Sequence, residues 1–348
     1  MILEQIGADL RVRELFLPYK SQGLKLARVS FAAHEQYRAY LENGECDAAP
    51  AGRLRWSEAL PAVGDWVAVR RVDPELALIE AVLPRRTQFS RRAAGNAVTE
   101  QVIAANVDLA VVVCGLDADF NLRRLERYLV LARESGAEAV IVLNKADLCQ
   151  APMERMEAVK SIAPGVRVMV LSAIENVEPL RAILRTGTTL VFLGSSGVGK
   201  STIANGLVGE DRQATAVVRA ADSRGRHTTT SRMLLALPGG GAIIDNPGMR
   251  ELQLWASEES LDEVFQDVSA LAGRCRFADC THSTEPECAV RDALESGVLD
   301  RSRWQSYRKL EAELRFQTRQ QDVHAMLDQK RKWKSIHRAM RHHPKYQR

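Results

Sequence analysis

From residue 107 onward the chain alternates apolar runs with amphipathic ones. VDLAVVVCGL (107–116) is apolar almost throughout, as a strand buried on both faces requires. NLRRLERYLVLARESG (121–136) then spaces its apolar residues at helical intervals and ends on glycine, which predicts a helix with a defined stop. AVIVLNKAD (139–147) predicts a second buried strand and PMERMEAVKSI (152–162) a second helix. VRVMVLSA (166–173), VEPLRAILRT (177–186), TLVFLGSSGVGK (189–200) and GAIIDNPG (241–248) continue the alternation. Strand then helix, repeated, predicts a parallel sheet with helices on both faces, and ligands in such folds bind beyond the carboxyl ends of the strands.

The flanking segments are patterned differently. Before residue 100, LARVSF (26–31), LRW (54–56), DWVAVRRV (65–72) and ALIEAVL (77–83) read as short strands, separated by breaks at the spacing of a small sandwich or barrel. A basic linker (84–100) with Arg85, Arg86, Arg91 and Arg92 follows. After Trp255 the strands stop, and residues 260–273 and 300–321 read as helices. The expected domains are 1–95, 96–255 and 256–348. No 20–50-residue repeat interrupts this order.

Composition adds two constraints. With 46% hydrophobic and 26% charged residues among 348, the chain falls in the globular class. No run of 18 apolar residues is present and the first residues lack an export pattern, which predicts a cytosolic protein with no membrane span. The net charge of +4 conceals an asymmetry: Lys330 to Arg348 carry +8 and the remainder −4. That tail, with Trp333 and Tyr346 among its cations and with His337, His342 and His343, predicts a polyanionic, RNA-like partner.

Four constellations carry chemistry. Gly194, Ser195, Ser196, Gly197, Val198, Gly199, Lys200 and Ser201 form G-x-x-x-x-G-K-S between an apolar strand and a helix. There glycines let backbone N–H groups wrap a phosphate and the helix N-terminus adds its dipole. Lys200 is placed on the β- and γ-phosphates, Ser201 on Mg²⁺, and Thr202 on the α-phosphate side. Asp245 to Gly248 form D-x-x-G at the end of AIID, where the Asp can hold Mg²⁺ and the Gly N–H the γ-phosphate. Between these motifs, residues 211–231 are polar and poorly periodic, as a γ-phosphate-sensing switch requires. Its Thr228, Thr229 and Thr230 offer a further Mg²⁺ hydroxyl, assigned to Thr229.

Asn144, Lys145, Ala146 and Asp147 form N-K-x-D, a guanine reader. The Asp carboxylate accepts from N1–H and the 2-amine, donors that adenine lacks, and a site built for such donors rejects an analogue without them. Lys145 packs its stem over the base, and Ser172-Ala173 offers a backbone N–H to guanine O6. Finally, Cys275, Cys280, His282 and Cys288 supply three thiolates and an imidazole, a complete tetrahedral set for one structural Zn²⁺ with no position left for catalytic water. Cys46, Cys114 and Cys149 stand apart as core or surface residues.

In chain order, N-K-A-D, S-A, G-S-S-G-V-G-K-S-T, G-R-H-T-T-T and D-N-P-G, after a strand-rich segment and before a Cys/His cluster, resemble the ribosome-small-subunit-dependent GTPases, bacterial GTPases with circularly permuted motifs. The resemblance covers essentially the whole chain. It implies an α/β fold in which a circularly permuted P-loop GTPase domain is flanked by an N-terminal OB-fold β-barrel and a C-terminal α-helical zinc-binding domain. It further implies hydrolysis of GTP to GDP and phosphate with Mg²⁺, in late maturation of the 30S ribosomal subunit and its 16S rRNA, stimulated by that subunit. A monomer is the default. Met249 follows D-N-P-G where many GTPases place a water-orienting Gln, and the resemblance makes His227 the catalytic candidate beside Lys200. Slow intrinsic hydrolysis, completed by the partner, is the expectation. The alternatives are a nucleotide-independent RNA-binding scaffold with a degenerate G domain, and an NTPase preferring ATP or acting on another RNA.

Overall fold

The computed structural model describes residues 2–33, 36–55, 60–92, 100–209, 232–245 and 255–341, with side chains 55, 92, 321, 322 and 324–341 outside the description. The chain divides into two compact units, Met1–Ser90 with Val102–Leu252, and Arg91–Gln101 with Gln253–Arg348.

The first unit opens with helices α1 (Ile2–Gln5) and α2 (Leu10–Lys20), the latter capped by the Asp9 carboxylate at 2.8 Å from the Val12 N–H. Strands β1 (Lys25–Ala33), β2 (Gln36–Leu41), β3 (Gly44–Pro50), β4 (Trp66–Arg71) and β5 (Leu76–Val82) then pair in the closed order 1-2-3-5-4-1, with β3 and β5 parallel. This is the OB-type five-stranded barrel. Alternate residues Tyr37, Ala39, Leu41, Val67, Val69, Ala77 and Ile79 fill it.

Two expectations for this region change. The β2–β3 hairpin has no counterpart among the strands read from sequence, because its outward positions include Arg38, Glu45 and Asp47 and its buried residues alternate with less buried ones. The expected strand at 54–56 is replaced over residues 52–55 by a single helical turn, α3 (Gly52–Arg55). In that turn the Leu54 N–H donates to the Ala51 carbonyl and the Leu54 side chain packs against the barrel core.

Beyond a short paired stretch, β6 (Gln88–Arg92) with β7 (Glu100–Ala105), the chain builds a six-stranded sheet. Its strands are β8 (Leu109–Gly115), β9 (Glu138–Asn144), β10 (Arg167–Val170), β11 (Thr189–Leu193), β12 (Arg232–Ala236) and β13 (Ala242–Asp245), in the order 10-9-8-11-13-12. All are parallel except β12. Helices α4 (Leu122–Ser135), α5 (Pro152–Ile162), α6 (Glu178–Arg181) and α7 (Lys200–Val208) follow β8, β9, β10 and β11 respectively. Helix α4 runs between its Asn121 cap and Gly136 in the left-handed region, as the sequence pattern predicts. One apolar cluster of this core brings Val111, Val113, Val140, Val142, Leu190 and Phe192 together with Ile203 and Leu207.

Barrel and sheet are one hydrogen-bonded surface, since β1 pairs antiparallel with β12 at Phe31–Met233 and Ala32–Arg232. Arg28, 1% exposed, fastens the same seam. Its guanidinium donates to the carbonyls of Ile6, Gly64 and Asn106, and to Thr189 Oγ1 at 2.8 Å, where β11 begins. It also lies 5.0 Å above the Trp66 ring. An Arg28→Ala change leaves three buried carbonyls without this donor, so the expected loss is about 3 kcal/mol, read as a lower urea midpoint at unchanged slope.

In the second unit, the stretch 260–273, expected as one helix, is two: α8 (Glu258–Val264) and α9 (Gln266–Ala272), divided at Phe265, whose backbone leaves helical geometry. After α10 (Ala289–Glu295) comes α11 (Arg301–Arg341), 41 residues long, so the helix expected over 300–321 continues through the first twelve residues of the basic tail. No helix among the described residues is long and apolar enough to cross a membrane.

Candidate functional site

Because β9, β10, β11 and β13 are parallel, the segments that leave their carboxyl ends share one edge of the sheet. Asn144 ends β9, Ser172 lies just past β10, Gly194 follows β11 and Asp245 ends β13. The register places Val191 beside Ile244 and Gly115 beside Asn144. Motifs separated along the chain therefore leave the sheet side by side.

Asn144 joins the two halves of the site. Its Nδ2 donates to the Val198 carbonyl of the phosphate loop at 2.8 Å, and its Oδ1 accepts from the Ala173 N–H at 2.9 Å. The buried amide thus has a partner on both sides, and the approach is close: a Cβ on Gly199, at φ +97°, would lie 2.2 Å from Asn144 Nδ2. Only glycine tolerates that conformation and that contact. The Ala173 N–H is engaged here, so an O6 contact from it would be shared with Asn144. Asp147 sits in the turn after Lys145, which adopts φ +64°, and its Oδ1 accepts from Ser172 Oγ at 2.7 Å.

The phosphate loop spans the gap between β11 and α7. Gly194, at φ +145°, passes so near the end of β8 that a Cβ would meet the Val113 carbonyl at 2.4 Å. Lys200 Nζ donates to the carbonyls of Gly194, at 2.6 Å, and Ser195. Ser196, Gly197, Ser201 and Thr202 are exposed at the rim, as is Asp245.

Three residues that the sequence motifs did not single out enter the site. Asp117 Oδ2 accepts from Lys145 Nζ at 2.6 Å; this hydrogen bond, outweighing burial, holds the Asp117 carboxyl below its ordinary pKa. Asp119 and Arg124 meet Ser195. Nothing in the spacing of the L-D-A-D turn marks it, and only the adjacency of β8 to both β9 and β11 brings it there. His227, Thr228, Thr229, Thr230, Asn246, Gly248 and Met249 lie outside the described residues, as do His342, His343 and Tyr346.

In the second unit, Cys275, Cys280, His282 and Cys288 place one ligand atom each within 4.8 Å of all the others. Cys275 Sγ and Cys288 Sγ are each 3.5 Å from His282 Nδ1 and 3.9 Å from one another. Glu285 holds the loop's shape by accepting from the N–H groups of Thr281, Ser283 and Thr284. A hydrogen bond from the Thr281 hydroxyl, and then the backbone N–H groups that include those of Thr281 and Ser283, drive its carboxyl far below the usual range. Burial, then the nearby Arg308 charge, lowers the His282 pKa, favouring the neutral imidazole that binds metals. The donor set is one that can hold a metal ion.

A closed barrel joined to a parallel sheet, with the guanine-type motif ahead of the phosphate loop in sequence but bonded to it in space, defines a circularly permuted P-loop GTPase. The family model described as RsgA GTPase matches residues 82–255. A small ribosomal subunit biogenesis GTPase RsgA of Opitutus terrae is 46% identical, over 98% of this chain and 97% of that protein. One from Syntrophotalea carbinolica is 44% identical over 97% and 96%. Among solved structures, YjeQ from Thermotoga maritima superposes with a TM-score of 0.62 at 27% identity, covering 84% of this chain and 98% of its own. YloQ, described as a circularly permuted GTPase, gives 0.59 at 25% identity over 84% and 95%. The chain belongs to the RsgA GTPase family.

Proposed function

We propose that this protein hydrolyses GTP to GDP and phosphate in late maturation of the small ribosomal subunit, in the cytoplasm and as a monomer, and that the subunit accelerates its turnover. The observation that carries the reading is the Asn144 bridge, which makes base-reading turn and phosphate loop one cradle. In it Asp147 reads N1–H and the 2-amine of guanine, and Lys145 covers the base. The N–H groups of residues 194–200 hold the phosphates, with Lys200 on the β- and γ-oxygens. Ser201, Asp245 and Thr229 serve Mg²⁺, and Gly248 the γ-phosphate. His227 stands in for the missing water-orienting Gln. The names of the relatives supply the small-subunit partner; contact with its 16S rRNA is proposed for the barrel of domain 1–95 and for domain 256–348, which flank the G domain at 96–255.

The Cys₃His set is proposed to hold one structural Zn²⁺. Tetrahedral zinc with Zn–S near 2.3 Å and Zn–N near 2.05 Å requires ligand edges of about 3.8 Å for S···S and about 3.5 Å for S···N. The spacings among Cys275, His282 and Cys288, 3.9 and 3.5 Å, match those edges, and the Cys280 sulfur lies within 4.8 Å of all three ligand atoms. When bound, zinc fixes the loop and supplies no catalytic position.

The test is hydrolysis of GTP beside ATP, with and without purified 30S subunits. GTP turnover is expected to be slow alone and to rise by about tenfold or more with subunits, with ATP inert. GTP turnover indifferent to subunits would favour action on another RNA, and no turnover at all a scaffold.

A further inference from the structure

The turn after β8 carries two carboxylates, and each reaches a different half of the nucleotide cradle. Asp117 takes the Lys145 ammonium on the base side. On the phosphate side, Asp119 Oδ2 accepts from Ser195 Oγ at 2.5 Å. Arg124, in the first turn of α4, donates from one nitrogen, Nη1, to Asp119 Oδ1 at 2.5 Å and to Ser195 Oγ at 2.8 Å. The Ser195 hydroxyl therefore donates a hydrogen bond to a carboxylate and accepts one from a guanidinium. Burial acts to raise the Asp119 carboxyl, yet the hydrogen bonds from Ser195 and Arg124 outweigh it and keep its pKa below the ordinary value. The Asp119 hydrogen bond in turn raises Arg124. The pair is charged at neutral pH.

The clamped residue is one that receives Lys200. The Ser195 carbonyl and that of Gly194 both accept from the Lys200 ammonium, so Ser195 is held through its side chain by α4 while its backbone carbonyl contacts the lysine. We infer that Asp119 and Arg124 are positioning residues for GTP hydrolysis, fixing the Ser195 peptide and through it the place of the Lys200 ammonium. This deepens the GTPase reading and rests on it. Ground-state affinity is spread over the loop N–H groups and the base contacts, whereas the lysine opposes charge that grows as the γ-phosphate departs. Loosening the clamp should therefore cost transition-state stabilisation more than binding. With side chains 36% and 32% exposed, the ion pair itself contributes little to stability, which separates a positioning role from a structural one.

The experiment is steady-state GTP hydrolysis by the full chain for Ser195→Ala, Asp119→Asn, Arg124→Ala and the Arg124→Ala/Ser195→Ala double variant. GDP affinity and Tm are measured on the same samples. Each single change is expected to lower kcat by about tenfold, with KM for GTP and GDP affinity moving less than about twofold and Tm nearly unmoved. The double variant should be no slower than the slower single, because both changes act through one hydroxyl, and Ser195→Thr, which keeps that hydroxyl, should recover most of kcat. Unchanged kcat in the singles, a loss carried by KM, or multiplicative losses in the double variant would overturn the inference. Asp119→Asn keeps the shape of the turn and decides the matter alone if the alanine variants do not fold. A wild-type chain that turned over no GTP would instead defeat the functional reading.

Discussion

Asp147→Asn is expected to turn the guanine site into a xanthine site. Guanine offers two donors on the edge that Asp147 faces, N1–H and the 2-amine, and a carboxylate accepts both. An Asn amide keeps one acceptor but presents N–H₂ to the 2-amine, donor against donor. Xanthine replaces that amine with a carbonyl and suits the amide instead. Each mismatched group beneath a base costs about 1–3 kcal/mol. The one mismatched contact thus predicts a loss of GTP affinity of about ten- to a hundredfold, with XTP gaining in proportion. The fold should not respond, because Asp147 is exposed and its internal partner, the Ser172 hydroxyl at 2.7 Å, can still donate to the Asn oxygen. The measurement is competition of GTP, XTP and ATP for the full chain. An unchanged preference for GTP would mean that another group reads the base.

The parallel sheet was legible because its central strands β8, β9 and β11 are buried on both faces. Val111, Val113, Val140, Val142, Leu190 and Phe192 leave no ambiguity of period, and glycines or capping residues mark the helix ends, as Asn121 and Gly136 do for α4. The barrel was legible only where a strand carried several apolar neighbours. In β2 and β3 only alternate residues are buried, and Arg38, Glu45 and Asp47 interrupt the pattern. The pairing Leu41–Gly44 across a two-residue turn is a property of the hairpin rather than of either strand. Conversely, Leu54 looks like a strand residue but reaches the barrel core from a single helical turn. The division at Phe265 follows from tertiary packing: its ring is fully buried, beneath the Arg303 guanidinium and at the edge of Tyr307.

For the site, motif reading proposes the residues assigned to the nucleotide and does not single out Asp117, Asp119 and Arg124, which meet those motifs. A nucleotide imposes fixed spacing on the loop that wraps it, so G-S-S-G-V-G-K-S is recognisable in one dimension. Asp119 and Arg124 need only to meet Ser195 from the neighbouring strand end and the helix that follows it, across about seventy residues of sequence, and many residue pairs could do so. The permuted order has a mechanical consequence as well. The antiparallel strand β12 lies between β13, which ends at Asp245, and β1 of the barrel, so the strand after the expected switch is shared by both lobes of the first unit.

Stripping the metal from the Cys₃His cluster is expected to unfold the second unit while the first keeps its nucleotide affinity. Among the described residues the apolar interior there is small: Leu261, Phe265, Val268, Val290, Ala293, Leu299, Leu310 and Leu314 are buried. A core of that size supplies only about 3–5 kcal/mol. Structural zinc contributes an apparent 10–16 kcal/mol or so in small peptides, so with the proposed zinc in the cluster the ion, rather than the core, would decide whether the loop is ordered. The effect should propagate along aromatic contacts. The His282 ring meets Trp304 edge-on at 5.4 Å, Trp304 stacks on Tyr307 at 5.7 Å, and Tyr307 packs against Phe265 at 5.6 Å. Cys288 also stands at the start of α10, so losing that ligand frees a helix end together with the loop. Chelation of the full chain, or Cys288→Ser, should abolish the near-ultraviolet signal of Trp304 and open Arg274 and Arg276 to trypsin, while GDP binding changes less than about twofold. A chelated chain whose aromatic signal and protease resistance persisted would mean that the four ligand residues are held by the polypeptide alone.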